Sequence, residues 1–134
     1  MPRTSIEDPY PKPDLADMRQ APPHPGAILL KAFIEPQGHG FQAKAARAMG
    51  MSTIRFNQIL SGKRSLTPES AVLIGELTHT SPIMWLHMQA DHDLWHALHA
   101  FASASTAVHA SIRRVATVFE CVKPGKQLVE EKRR

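Results

Sequence analysis

The most informative part of the sequence for the fold is residues 42–64, which read QAKAARAMGMSTIRFNQILSGKR. It describes two short helices separated by Gly50, because a glycine just after a helix adopts positive φ at little cost. Ser52 is a favourable N-cap for the second helix. Apolar residues recur at helical spacing in each segment, first Ala45, Ala46 and Met49, then Phe56, Ile59 and Leu60. The pattern predicts a helix-turn-helix.

The flanking sequence predicts three further helices. Pro25 suits the first turn of a helix, which must stop before Pro36. Thr67–Glu69 and Thr80–Pro82 each combine a capping hydroxyl with a proline, so each opens another helix. We therefore predict an all-α protein of five helices with no strand before residue 105. Ile112–Val122 fits a strand by its β-branched residues and a helix by its spacing.

Three segments of the chain differ in composition. Five of the 11 prolines precede residue 23, and residues 1–23 show no apolar periodicity, which predicts a flexible arm. Residues 24–100 hold the five predicted helices and form the helix-turn-helix domain. Residues 101–134 form a C-terminal extension, which we expect to assist dimerisation and to fray at its charged end.

The composition argues against a secreted or membrane protein. Cys121 is the single cysteine, so no intrachain disulfide can form, which favours a reducing compartment. No apolar run approaches the ~20 residues that span a bilayer, and residues 1–17 lack the apolar core of a signal peptide. We therefore expect a cytoplasmic protein without membrane contact.

The sequence offers no catalytic constellation. It lacks a phosphate-binding glycine loop, a nucleophile elbow and a carboxylate pair, so we expect neither an enzyme nor a cofactor. One alternative is a metal site, because His92, His96 and His99 lie at i, i+4 and i+7, with Asp91 and Asp93 nearby. A solvated histidine-rich face is the preferred interpretation.

The charge distribution indicates a polyanionic partner. The formal net charge is +4 at pH 7. Between Pro36 and Pro68 the chain carries no acid but five bases, which are Lys44, Arg47, Arg55, Lys63 and Arg64. A surface free of carboxylates suits the approach to a nucleic acid.

Several separated motifs resemble one family in their order. HPGAILLKAFIEPQG from His24, AARAMGMS from Ala45, SGKRSLTPESA from Ser61 and TSPIMWLHMQADHDLWHA from Thr80 resemble the HigA/VapI-type antitoxins. That family belongs to the lambda-repressor-like (XRE) helix-turn-helix class, and the resemblance covers residues 24–97. It implies a homodimer that represses its own promoter at a palindromic operator in double-stranded DNA and neutralises an mRNA-cleaving toxin. A stand-alone transcriptional regulator without a toxin is the alternative.

The resemblance also places the DNA contacts. Gln42 opens the second helix, where an amide and the helix N-terminus hold a phosphate. The exposed start of the third helix is expected to read base edges, and the loop beyond it to contact phosphates. The DNA-binding residues are therefore expected to be Gln42, Ser52, Thr53, Ile54, Arg55, Asn57, Gln58, Lys63 and Arg64. Ile54 stands where a polar residue is usual and suits a thymine methyl. Phe41 takes the place of a capping Ser or Thr.

Two protein contacts complete the expectations. Dimerisation is assigned to the large apolar residues of the fifth helix and its continuation, Leu94, Trp95, Leu98 and Phe101. The arm 1–23 has net charge −1 and interleaves acids with apolar residues, so it suits the basic cleft of an RNA-cleaving toxin. The simpler interpretation is that the arm is an unstructured extension with no function. The helical surface around Leu73 and Ile83 is the competing toxin site.

Overall fold

The computed structural model describes Leu15 and residues 18–122, with side chains up to residue 119, and all regular secondary structure within these residues is helical. This confirms the all-α prediction. The helices are α1 (Pro25–Leu29), α2 (Phe41–Ala48), α3 (Thr53–Leu60), α4 (Pro68–Thr78), α5 (Pro82–Ala102) and α6 (Thr106–Ala116). A π-helical turn (Leu30–Ile34) and a 3₁₀ turn (Glu35–Gln37) continue α1, and a 3₁₀ segment (Thr117–Val122) follows α6.

The chain divides into two compact units, of which Leu15–His99 contains the helix-turn-helix and Ala100 onward contains α6. The ambiguous segment Ile112–Val122 is therefore the end of a helix and a 3₁₀ segment, not a strand. In the part of the chain that the structure describes, no helix is both long and apolar enough to cross a membrane.

The turn between α2 and α3 closes as the glycine pattern predicts. Gly50 has φ 67° and follows Met49, the C-cap of α2. The amide of Met51 donates to the carbonyl of Ala46 at 2.9 Å, and the Gly50 amide donates to Arg47 at 3.1 Å. These two bonds form a Schellman motif, which satisfies the last carbonyls of α2. Met51 is buried, so the turn is fixed to the core by its own side chain.

The start of α2 differs from the sequence-based expectation. Gly40 is the N-cap, with φ 86°, and Phe41 is the first helical residue instead of the cap. No side chain caps this helix. Phe41 packs half-buried against the core, which explains why an aromatic residue is accepted here.

The core forms where five helices meet. Its largest fully buried side chains are Trp85, Phe56, Leu29, Ile59 and Ile74, and small residues such as Ala45, Ala46 and Ala71 fill the helix contacts. The Trp85 indole N–H donates to Thr80 Oγ1 at 2.6 Å, so its polar atom is satisfied inside the core. All the residues that the periodicity of α3 places inward are buried.

Helices α1 and α3 approach each other through a glycine. A Cβ atom built on Gly26 would lie 1.8 Å from the backbone carbonyl oxygen of Ile59. The only side chain that fits is therefore hydrogen, and the two backbones touch. His24 caps the same end of α1, because its Nδ1 accepts from the Gly26 amide at 2.9 Å.

The predicted flexible arm is held in place over its last residues. Residues 18–23 are non-helical, as expected, but the carbonyl of Met18 accepts from the Trp95 indole N–H at 3.0 Å. The carbonyl of Pro22 accepts from His92 Nδ1 at 2.7 Å, and Leu15 is buried. Residues 18–23 therefore lie along α5 instead of forming part of a free arm. The rest of the predicted arm, residues 1–14, 16 and 17, lies outside the described residues.

Candidate nucleic-acid interface

The N-terminus of α3 is open to solvent. Ser52 takes an extended backbone conformation, and its Oγ accepts from the Arg55 amide at 3.1 Å, which confirms the predicted N-cap. Thr53 follows it on the exposed side, and Ile54 keeps 72% of its surface exposed. The opposite face of α3 is buried in the core, so Thr53 and Ile54 lie on the side of the helix that is accessible to a partner.

A side-chain hydrogen bond joins α2 to α3. Gln42 Nε2 donates to Asn57 Oδ1 at 3.3 Å, across the turn. Gln42 lies in the first turn of α2, so its amide is held between the N-terminus of that helix and the exposed side of α3. The structure thus brings together two predicted site residues that lie 15 positions apart.

The loop after α3 folds back on Gln58. The backbone amides of Lys63 and Arg64 both donate to the Gln58 carbonyl, at 2.9 and 3.1 Å, and Ser61 Oγ donates to it at 3.2 Å. Arg64 Nε also donates to Gln58 Oε1 at 3.0 Å. Both Lys63 and Arg64 are exposed, so the loop presents two cations beside the end of α3.

Arg55 occupies a different position from the other predicted contacts. Its side chain is half-buried, and its Nε is buried without a hydrogen-bond partner among the described residues. A buried donor without an acceptor is costly. Because this Nε is enclosed by the protein, it is not accessible to DNA in this conformation.

His24 supports this loop from beneath. Its ring lies 3.6–3.9 Å from the position of a Cβ on Gly62, and the Arg64 backbone carbonyl is hydrogen-bonded to it. Burial lowers the pKa of His24, and the neighbouring His92 lowers it further, whereas Asp93 and the Arg64 carbonyl act in the opposite direction. The neutral ring accepts from the Gly26 amide, so one side chain joins the start of α1 to the basic loop.

Three of these features are not apparent in the sequence. The Gln42–Asn57 and Gln58–Arg64 pairs depend on side-chain conformations and on the path of a loop, which local periodicity does not report. The role of His24 was also missed. The signal available for it was the order His-Pro-Gly, in which a capping side chain precedes a first-turn proline and a residue without Cβ.

The residues predicted to form the dimer contact are only partly exposed to solvent. Leu94 and Phe101 are 47% and 43% exposed, and Leu98 is half-buried. Trp95 stacks on His99 with ring centroids 3.8 Å apart, in addition to its bond to Met18. Part of Trp95 is therefore used within the chain, and Leu94 keeps the larger exposed fraction of the two.

The histidines of α5 contact rings and carbonyls. His92 packs edge-on against His24 at 5.2 Å and against His96 at 4.7 Å. His92 Nδ1 faces a carbonyl, as does His99 Nδ1. Across Leu15 and residues 18–122, no group of three or more His, Cys, Asp or Glu side chains is arranged to hold a metal ion. The geometry favours ring packing over the metal-site alternative.

Comparison with known proteins finds relatives in sequence. The chain is 32% identical over 96 residues to an uncharacterized HTH-type transcriptional regulator, YddM, of Escherichia coli, which covers 71% of this chain and 93% of the relative. It is also 32% identical over 74 residues to virulence-associated protein A' of Dichelobacter nodosus, covering 54% of this chain and 63% of that protein. The chain thus spans less than two thirds of the second relative. No model of a known protein family matches.

A similar fold is found among solved structures. The Pseudomonas aeruginosa antitoxin HigA, solved with the higBA promoter, superposes with a TM-score of 0.57 at 29% sequence identity. The superposition covers 61% of this chain and 88% of that protein.

Proposed function

Because the chain belongs to the HigA/VapI-type family of helix-turn-helix proteins, we propose that it is a DNA-binding transcriptional repressor and the antitoxin of a toxin–antitoxin pair. It acts in the cytoplasm on the promoter of its own operon. A homodimer presents two copies of α3 to the half-sites of a palindromic operator, about one helical turn or ~34 Å apart. No catalytic activity is part of this proposal.

One observation carries the DNA-binding proposal. The start of α3, capped by Ser52, projects Thr53 and Ile54 into solvent, and the exposed loop after the end of α3 carries Lys63 and Arg64. A helix that enters the major groove needs free side chains at its N-terminal end and cations at its edge, where the phosphates lie. The stretch from Pro36 to Pro68 adds no carboxylate that would repel them.

The experiment is selection of a binding site from randomised duplex DNA, followed by titration of the selected site at several salt concentrations. We expect a palindromic site and a negative salt slope. Replacing Lys63 by Ala should weaken binding to all sequences and reduce the slope by about 0.9 per lost phosphate contact, which is about 1.8 for the homodimer. Replacing Thr53 by Ala should instead cost about 1–3 kcal/mol on the selected site alone.

The matched control for Lys63→Ala is Arg113→Ala, which removes one positive charge from α6, outside the helix-turn-helix. If the two variants change the salt slope equally, net charge and not position governs binding. If Thr53→Ala binds the selected site and scrambled DNA with the preference of the parent protein, α3 is not the recognition helix.

For toxin neutralisation we propose the N-terminal arm as the contact. The support is the composition of the segment that precedes the attached residues 18–23. Its acidic and apolar residues include Ile6, Glu7, Asp8, Tyr10, Asp14 and Asp17. They complement the basic, RNA-binding cleft of a ribonuclease toxin.

The test is deletion of residues 1–14. This deletion keeps Leu15 and residues 18–23 in place, so α5 retains its contacts with the chain. Loss of toxin neutralisation with unchanged DNA binding supports the arm. Retained neutralisation excludes it and directs attention to Leu73 and Ile83, which are 37% and 54% exposed; Leu73→Glu and Ile83→Glu would then be the informative variants.

A stand-alone regulator is the second candidate, because the Escherichia coli relative is named only as a transcriptional regulator. The neighbouring reading frame distinguishes the two. A short basic protein of about a hundred residues encoded immediately upstream, toxic when expressed alone and harmless when co-expressed, favours the antitoxin. If no such partner is encoded, the DNA-binding proposal still stands, and the antitoxin proposal is excluded.

A further inference from the structure

We propose that Arg64 is a positioning residue for base recognition, because it orients the amide of Gln58 on the recognition helix. This inference rests on the proposed DNA-binding function and assigns Arg64 a role beyond the phosphate contact expected from its place in the loop. Its basis is the hydrogen bond from Arg64 Nε to Gln58 Oε1, at 3.0 Å.

The chemistry of the pair fixes the orientation of the amide. A glutamine side chain presents an oxygen that accepts and a nitrogen that donates, and either end can face a ligand. The guanidinium of Arg64 only donates, so the atom that it contacts must be the oxygen. The Nε2 group of Gln58 therefore points away from Arg64. An amide with a defined orientation discriminates between bases, because each base edge shows a different order of donors and acceptors.

The backbone makes this contact specific to Arg64. The amides of Lys63 and Arg64 donate to the Gln58 carbonyl at 2.9 and 3.1 Å, and the Ser61 hydroxyl donates to the same oxygen. The main chain of Arg64 is thus attached to the residue that its side chain contacts. Both ends of the arginine are held, so the loss of side-chain freedom on forming the Nε bond is small.

Arginine is suited to both tasks, whereas lysine is not. The guanidinium carries five N–H donors in a rigid plane, and the bond to Gln58 uses one of them. Four donors are left over for a phosphate. Lysine has the same charge but a compact ammonium on a flexible chain, without a donor at the Nε position of arginine. Arg64→Lys therefore separates the orientation of Gln58 from the positive charge.

The experiment measures the base preference at each operator position. The probes are the selected duplex and a set of duplexes, each with one base pair changed. We expect Gln58→Ala to reduce discrimination at one base pair of each half-site by on the order of 10-fold or more. Arg64→Lys should reduce discrimination at the same base pair while the salt slope stays that of the parent protein. The double variant should discriminate no worse there than Gln58→Ala alone.

Arg113→Lys is the matched control, because it makes the same substitution at an exposed position of α6, outside the helix-turn-helix, and should leave the base preference unchanged. Thermal unfolding of each variant checks the fold. If Arg64→Lys weakens binding to every duplex equally, or if Gln58→Ala changes no base preference, the inference is overturned. If the parent protein selects no sequence at all, the proposed function itself has failed, and the two results are therefore distinguishable.

Discussion

Replacing Gly26 by Ala tests how closely α1 and α3 are packed. The added Cβ would lie 1.8 Å from the Ile59 carbonyl oxygen, 2.8 Å from its carbonyl carbon and 3.0 Å from His24 Nδ1. Real Cβ contacts are no shorter than about 3.0 Å, so the two backbones must separate by at least 1.2 Å. Neither atom of Ile59 can rotate away, since both belong to a helix of the core.

The size of the effect follows from two opposing terms. Overpacking costs typically about 1–3 kcal/mol, and the upper end applies because the contact is between backbones. Alanine recovers at most about 1 kcal/mol over glycine in a helix. The net loss is about 2 kcal/mol in the free energy of unfolding, or a decrease in Tm of about 8–16 °C for a domain of this size.

The assay is urea unfolding followed by circular dichroism at 222 nm. Gly40→Ala is the control, because Gly40 lies in the left-handed region at φ 86° but has no atom within 4 Å of the built Cβ. It tests backbone strain without a collision and should cost about 1 kcal/mol. If Gly26→Ala is as stable as the parent protein, or loses less than Gly40→Ala, the close approach of α1 and α3 is not a constraint on the fold.

Two further predictions concern buried polar groups. Thr80→Val should lower the free energy of unfolding by about 1–3 kcal/mol, because the Trp85 indole N–H loses its acceptor in the core. Thermal unfolding measures this loss, and Thr106→Val, at the exposed start of α6, is the control. For pH, burial lowers the folded-state pKa of His24, so the unfolded chain binds more protons and stability falls as pH decreases below about 6.5. His24→Asn keeps an N-cap and should reduce the pH dependence of stability, which is at most about 1.4 kcal/mol per pH unit for one histidine. If the variant and the parent protein have the same pH profile of stability, this role of His24 is contradicted.

The sequence predicts those elements of the fold that depend only on residues close together in the chain. Gly50 and Ser52 act within a few residues, and a cap or a positive φ needs no knowledge of the rest of the chain. The same holds for the inward face of α3, because the period of a helix selects it. Thr67 was also correctly assigned, and it forms a capping box with Ser70.

The features that the sequence did not predict depend on contacts between distant residues. Nothing local indicates that Trp95 donates to a carbonyl 77 positions earlier, so the sequence analysis assigned Trp95 to the dimer contact without this bond. The Gln58–Arg64 pair is similar, since its formation depends on how the loop at Gly62 turns. The π-helical turn of Leu30–Ile34 has no sequence signal that we recognised.

The attachment of residues 18–23 to α5 has a consequence for variation among related chains. His92 and Trp95 both donate to main-chain carbonyls, which every residue type provides. These two hydrogen bonds therefore do not depend on the residue types at Met18 and Pro22. A substitution that preserves the main-chain course keeps both bonds, so we expect this attachment to tolerate sequence changes that would break a contact between two specific side chains.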